Sequence, residues 1–139
     1  MSTQILQPVV ALVLWSFVMW AWLYATRIPA LRKANVGLDP TLTAADLAAR
    51  LPPSVRWKAD NYNHLMEQPT IFYAAALALA VAGEGAGLNL ALAWTYVGLR
   101  IVHSLVQATA NIIMARFLTF MAGSVVLLAL AARAAMAVF

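Results

Sequence analysis

The chain has 139 residues, of which 64% are hydrophobic and 10% charged, with a mean hydropathy of +0.81. That length holds one domain, and that composition excludes a water-soluble globular protein and points to an integral membrane protein. The formal net charge of +4 is not a nucleic-acid signature: six of the nine basic residues (Arg27, Arg32, Lys33, Arg50, Arg56 and Lys58) cluster in one segment between apolar stretches. This is the pattern of a cytoplasmic loop, with acidic lipid headgroups as its charged neighbours. The chain has no cysteine, which removes disulfides, a thiol nucleophile and a cysteine metal centre from consideration.

Taken in order, a first span is expected at residues 5–26, about the twenty residues a bilayer requires. Only Gln7 and Ser16 interrupt it before Trp20, Trp22 and Tyr24 form an interfacial belt ahead of Arg27. It is too long, and lacks the basic start, for a signal peptide. Residues 27–61 are the basic loop. Within it, Gly37 to Pro40 read as a turn, and Thr43 with Asp46 as an N-terminal capping box. The short helix they open places Leu47 and Leu51 on one side and stops at Pro52-Pro53; it reads as a connector lying on the headgroups rather than a lid.

A second span is expected at 62–82, with Asn63, His64 and Glu67 in its first turns on the face that also carries Asp60, and Pro69 early in the span. A glycine-rich turn at 83–87 leads to a third span at 88–109. This span is apolar except for one face carrying Arg100, His103, Ser104 and Gln107, with Asn111 just beyond. After a tight turn at 108–111, a fourth span is expected at 112–138, with Arg116 in its first turns and Arg133 near its far end. If the basic loop is cytoplasmic, both termini lie outside. At about 1.5 Å rise per residue, the polar groups of spans two, three and four then share one cytoplasmic-side layer.

An arginine inside an apolar helix costs a few kcal/mol or more unless it finds a partner, so Arg100 is expected to pair with Glu67. His64 and His103 at matching depth raise the possibility of haem ligation from two sides. One glutamate falls short of a carboxylate-bridged metal pair, and no metal site is expected.

The residues Asn63-His-Leu-Met-Glu67-Gln-Pro-Thr-Ile-Phe-Tyr73, Arg100-Ile-Val-His103-Ser-Leu-Val-Gln107, and Arg116 opening the last span resemble the MAPEG family. These are the membrane-associated proteins in eicosanoid and glutathione metabolism, and the resemblance covers nearly the whole chain. It implies an all-α integral membrane four-helix bundle, 1–139 as a single domain, assembled as a homotrimer with glutathione held between neighbouring subunits on the cytoplasmic side. By position Glu67, Arg100, His103 and Arg116 match the family's glutathione site, and Asn63, His64 and Gln107 stand beside them. Arg116 takes the catalytic role of stabilising the thiolate, and the others hold the cosubstrate.

The implied function is a membrane-bound glutathione-dependent transferase or peroxidase acting on a lipophilic electrophile that arrives from the bilayer. The sequence looks most similar to bacterial members, which implies an inner-membrane location. Gln107 and Phe120 stand where tyrosines are common in active members. This keeps open a second reading, a non-catalytic membrane binding or scaffold protein, with a haem-binding membrane protein as a third.

Overall fold

The computed structural model describes residues 2–37 and 39–139; Leu38, within the turn expected at 37–40, lies outside the described residues. The described residues form six helices: α1 (Leu6–Lys33), α2 (Ala44–Ala49), α3 (Pro53–Glu67), α4 (Pro69–Val81), α5 (Gly87–Thr109) and α6 (Ile113–Val138). No strand occurs among the described residues.

Helix α1 runs past the expected end of the first span. Its extension Arg27–Lys33 continues through Pro29, and Arg32 and Lys33 in the last turn suit the negative end of the helix dipole. The capping box forms as expected: the Thr43 side chain accepts the Asp46 backbone N–H at 3.1 Å, and the Asp46 carboxylate accepts the Thr43 backbone N–H at 3.0 Å.

The second expected span differs in two ways. The helix leading into it begins nine residues earlier (62 − 53 = 9), at Pro53, which sits at the first helical position, where its fixed φ favours the helix and no donor is lost. The span is also divided at Gln68, because Pro69 has no N–H with which to continue the backbone ladder.

Helix α5 packs against α6 along its length and also meets α1, α3 and α4. Leu12 and Met19 of α1, Leu65 of α3, Phe72 and Leu79 of α4, Tyr96 and Val97 of α5 and Leu130 of α6 form one buried core. Lys58 ties three elements together. Its Nζ donates to the Ser54 and Ala108 carbonyls at 3.0 and 3.2 Å, the latter at the end of α5, and lies 5.1 Å from the centre of the Trp22 ring.

Two helices, α1 and α6, are long and apolar enough by themselves to cross a membrane. The other two expected spans do not stand out in this way, because α4 is short and α5 carries the polar face. On α1, Leu14, Phe17 and Val18 point outward, as do Phe117, Leu118, Val125 and Leu128 on α6. Apolar faces this extensive suit lipid or another protein surface rather than water.

Candidate functional site

The α5 stripe falls inside the protein. Arg100, His103, Ser104 and Gln107 are each no more than 2% exposed, and Asn61 of α3 joins them at 0%. All three Arg100 guanidinium nitrogens, both Asn61 amide atoms, His103 Nδ1, Ser104 Oγ and Gln107 Oε1 lack a hydrogen-bond partner within the chain. Buried polar atoms in folded proteins are nearly always partnered, and each orphan costs about 1–3 kcal/mol. The four α5 residues form one buried polar seam, and Asn61 is a fifth buried polar residue on α3, a helix that packs against α5.

The expected pairing of Glu67 with Arg100 does not form within one chain. The Glu67 side chain is 70% exposed, and its carboxylate lies 3.9 Å from His64 Nδ1, the one contact within 4 Å between a carboxylate and a basic side chain among the described residues. The reason is the helical period. Lys58, Asn61 and Leu65 are the buried residues of α3, and Glu67, two positions past Leu65, projects about 200° away from that face.

Asn63 is turned from Asn61 by the same angle. It lines a separate pocket of about 280 Å³ with Arg27, Ala48, Leu51, Arg56 and Asp60, not the site of His64.

His64 and His103 come together. Their ring centroids lie 5.8 Å apart in an edge-to-face arrangement, and Phe120 packs on both at 6.4 and 6.2 Å. Rings packed edge against face leave no slot between them for a flat macrocycle, so this geometry does not favour haem. Beside them opens a pocket of about 370 Å³ lined by His64, His103, Ile113, Arg116, Phe117 and Phe120. A guanidinium at an otherwise apolar and aromatic mouth, with no carboxylate in the lining, suits an anion bearing an apolar partner.

Arg116 is positioned by the turn before it. Asn111 adopts a left-handed backbone (φ 49°), a conformation that asparagine tolerates better than most residues, and reverses the chain after α5. Its Oδ1 accepts a hydrogen bond from Arg116 Nη1 at 2.7 Å, while Arg116 Nε is buried without a partner.

Of the residues read from the sequence, His64, His103 and Arg116 therefore surround one pocket, and Arg100 and Gln107 lie in the buried seam of α5. Glu67 reaches the site only through His64, and Asn63 stands apart. Sequence reasoning missed Asn61, although the spacing of Lys58, Asn61 and Leu65 carries the helical signal for it. It also missed a polar bridge across the helices: Tyr96 Oη donates to Gln68 Oε1 at 3.1 Å, and Gln68 Nε2 donates to Ser124 Oγ at 2.8 Å. The Tyr96 ring stacks on Phe72 at 4.7 Å.

Neither the curated proteins nor the solved structures yield a match to this chain. The MAPEG family does match, over residues 5–136, which is nearly all of the chain, including every helix that builds the pocket and the seam. The chain belongs to the MAPEG family.

Proposed function

We propose that the protein is a membrane-bound, glutathione-dependent transferase or peroxidase acting on a lipophilic electrophile, working as a homotrimer of four-span subunits in a bacterial inner membrane with both termini outside the cytoplasm. The observation that carries this reading is the unpartnered Arg100 seam lying next to a pocket with Arg116 at its mouth. Glutathione brings two carboxylates, an amine and a thiol. The donor set fits it: guanidinium groups for carboxylate and thiolate, the Glu67 carboxylate for the amine, and Asn63, His64, His103 and Gln107 as further polar contacts. Asn63 and Glu67 lie on the outward face of α3, where a neighbouring subunit would bring them against a shared cosubstrate.

Arg116 favours the thiolate over the thiol, and the proton leaves to water. In the transferase reaction the sulfur lone pair attacks the electrophilic carbon. A carbon–sulfur bond forms as the bond to the leaving group breaks and its electrons depart with that group. In the peroxidase reaction two glutathiones are oxidised to the disulfide while the hydroperoxide is reduced to an alcohol and water. The apolar lining from Ile113, Phe117 and Phe120 admits a substrate from the bilayer side.

Calorimetry of glutathione binding to the detergent-purified protein, repeated with Arg116→Ala, tests this. Saturable binding that is lost in the variant supports the reading, and no binding at millimolar glutathione overturns it. The second reading, a non-catalytic binding or scaffold protein, is favoured by one observation. Phe120 and Gln107 put no tyrosine hydroxyl at the pocket, and Tyr96 is committed to Gln68. Glutathione binding with no turnover of any electrophile or hydroperoxide would select it.

A further inference from the structure

At the end of the protein opposite the basic loop, Asn89 in the first turn of α5 is buried, and both ends of its amide are engaged. Its Nδ2 donates to the Glu84 carbonyl at 2.7 Å, and its Oδ1 accepts from Arg133 Nε at 2.8 Å. Arg133 is thus held by its inner nitrogen, and no hydrogen bond among the described residues uses its two Nη atoms. Arg133 lines a pocket of about 210 Å³ with Glu84, Asn89, Met136 and Ala137.

Glu84 lines the same pocket, yet it makes no ion pair with Arg133 among the described residues. With no contact within 4 Å between them, the cation and the anion are both left to be partnered by a ligand carrying the two charges in the reverse order. Its place identifies the source. Glu84 lies in the turn between α4 and α5 and Asn89 in the first turn of α5, and a turn joining two spans stands at the level of lipid headgroups. Met136, Val138 and Phe139 are exposed apolar residues at the same end.

We infer that this pocket binds the headgroup of a zwitterionic phospholipid bearing a primary amine, with the phosphodiester on the Arg133 Nη atoms and the ammonium on the Glu84 carboxylate. A guanidinium matches the paired oxygens of a phosphate, and a carboxylate can accept hydrogen bonds from a primary ammonium but not from a quaternary one. The site is independent of the glutathione pocket and belongs to the opposite leaflet.

Native mass spectrometry of the purified full chain, with phosphatidylethanolamine and phosphatidylglycerol of identical acyl chains supplied together, tests the assignment. Wild type is expected to retain the ethanolamine lipid about fivefold over the glycerol lipid, the upper end for one solvent-facing ion pair. Glu84→Gln is expected to abolish that preference while leaving the fold intact, since the Glu84 carboxylate makes no ion pair within the chain. Arg133→Gln, which can still donate to Asn89, is expected to lower retention of both lipids. Equal retention of the two lipids by wild type, or a preference that survives Glu84→Gln, overturns the proposal. Binding of soluble phosphoethanolamine without retention of either lipid would assign the pocket to a free phosphoester and overturn the lipid assignment.

Discussion

Arg116 Nη1 donates to Asn111 Oδ1 at 2.7 Å, and Asn111 is the residue whose left-handed backbone turns the chain from α5 into α6. One side chain therefore shapes the turn and aims the guanidinium at the pocket. Replacing it with glycine separates the two roles, because glycine keeps the positive φ and loses only the amide. Asn111→Gly is expected to leave the melting temperature within a few degrees of wild type and to weaken glutathione binding about tenfold or more, as for the loss of one charge-assisted hydrogen bond worth about 1.5–3 kcal/mol. Asn111→Ala should reduce both. Paired calorimetry and thermal melts check this, and unchanged binding in the glycine variant would detach Asn111 from the site.

Arg100 has three buried nitrogens without a partner in the chain. If the cosubstrate or a neighbouring subunit supplies those partners, saturating glutathione should raise the melting temperature of wild type. Binding at about a hundred times Kd adds about 2.7 kcal/mol of stability. Arg100→Leu removes the orphaned charge, so its unliganded melt should equal or exceed that of wild type while the glutathione-dependent rise disappears. A rise that persists in the variant would place Arg100 outside the site.

The Tyr96–Gln68–Ser124 bridge makes a graded prediction. Tyr96→Phe keeps the ring on Phe72 but strips Gln68 Oε1 of its donor. The expected cost is about 0.5–1.5 kcal/mol, and Ser124→Ala should be non-additive with it because both act through Gln68. Strict additivity in a double-mutant cycle of thermal melts would show that the bridge does not act as a unit.

Gly85 shows that the glycine-rich turn is more than a flexible link. A β-carbon there would lie 2.6 Å from the Ser2 carbonyl oxygen and 2.7 Å from Ile5 Cγ2, so the start of the chain is packed directly onto the turn. Gly85→Ala should destabilise the protein by about 1–3 kcal/mol, the usual cost of overpacking, whereas Gly37→Ala, with open space around it, should not. The two melts form an internal control.

Outside the membrane, the Asp46 carboxyl is held below its ordinary value of 3.8 first by the Thr43 backbone N–H and then by the Thr43 side chain. A lowered carboxyl contributes stability that is fully present above its unfolded value and is lost as pH falls through the folded one. The cap of α2 should therefore hold down to about pH 4 and then fray. Amide exchange at Asp46 and Thr43 as a function of pH reads this directly. Thr43→Ala should fray α2 at neutral pH, and an α2 insensitive to both changes would show that the cap is not what holds it.

What the sequence determined by itself was everything governed by local pattern. Composition placed the chain in a membrane, and the Thr43/Asp46 spacing produced its capping box. The 3.6-residue period put Arg100, His103, Ser104 and Gln107 on one face of α5, where all four are buried. The tertiary structure decided which faces meet. Glu67 and Asn63 share a face with His64 on a helical wheel, yet α3 is rotated so that Asn61 and Leu65 point inward, because its rotation answers to packing against α1 and α5 and not to its own polar residues. Arg100 thus lacks, within the chain, the partner that its cost in an apolar helix demands. Gln68, Tyr96 and Ser124 share no sequence spacing and meet only because the segments that carry them come together at one level. A sequence reports the period of each helix, and the phase between helices is set by the shape of the core they share.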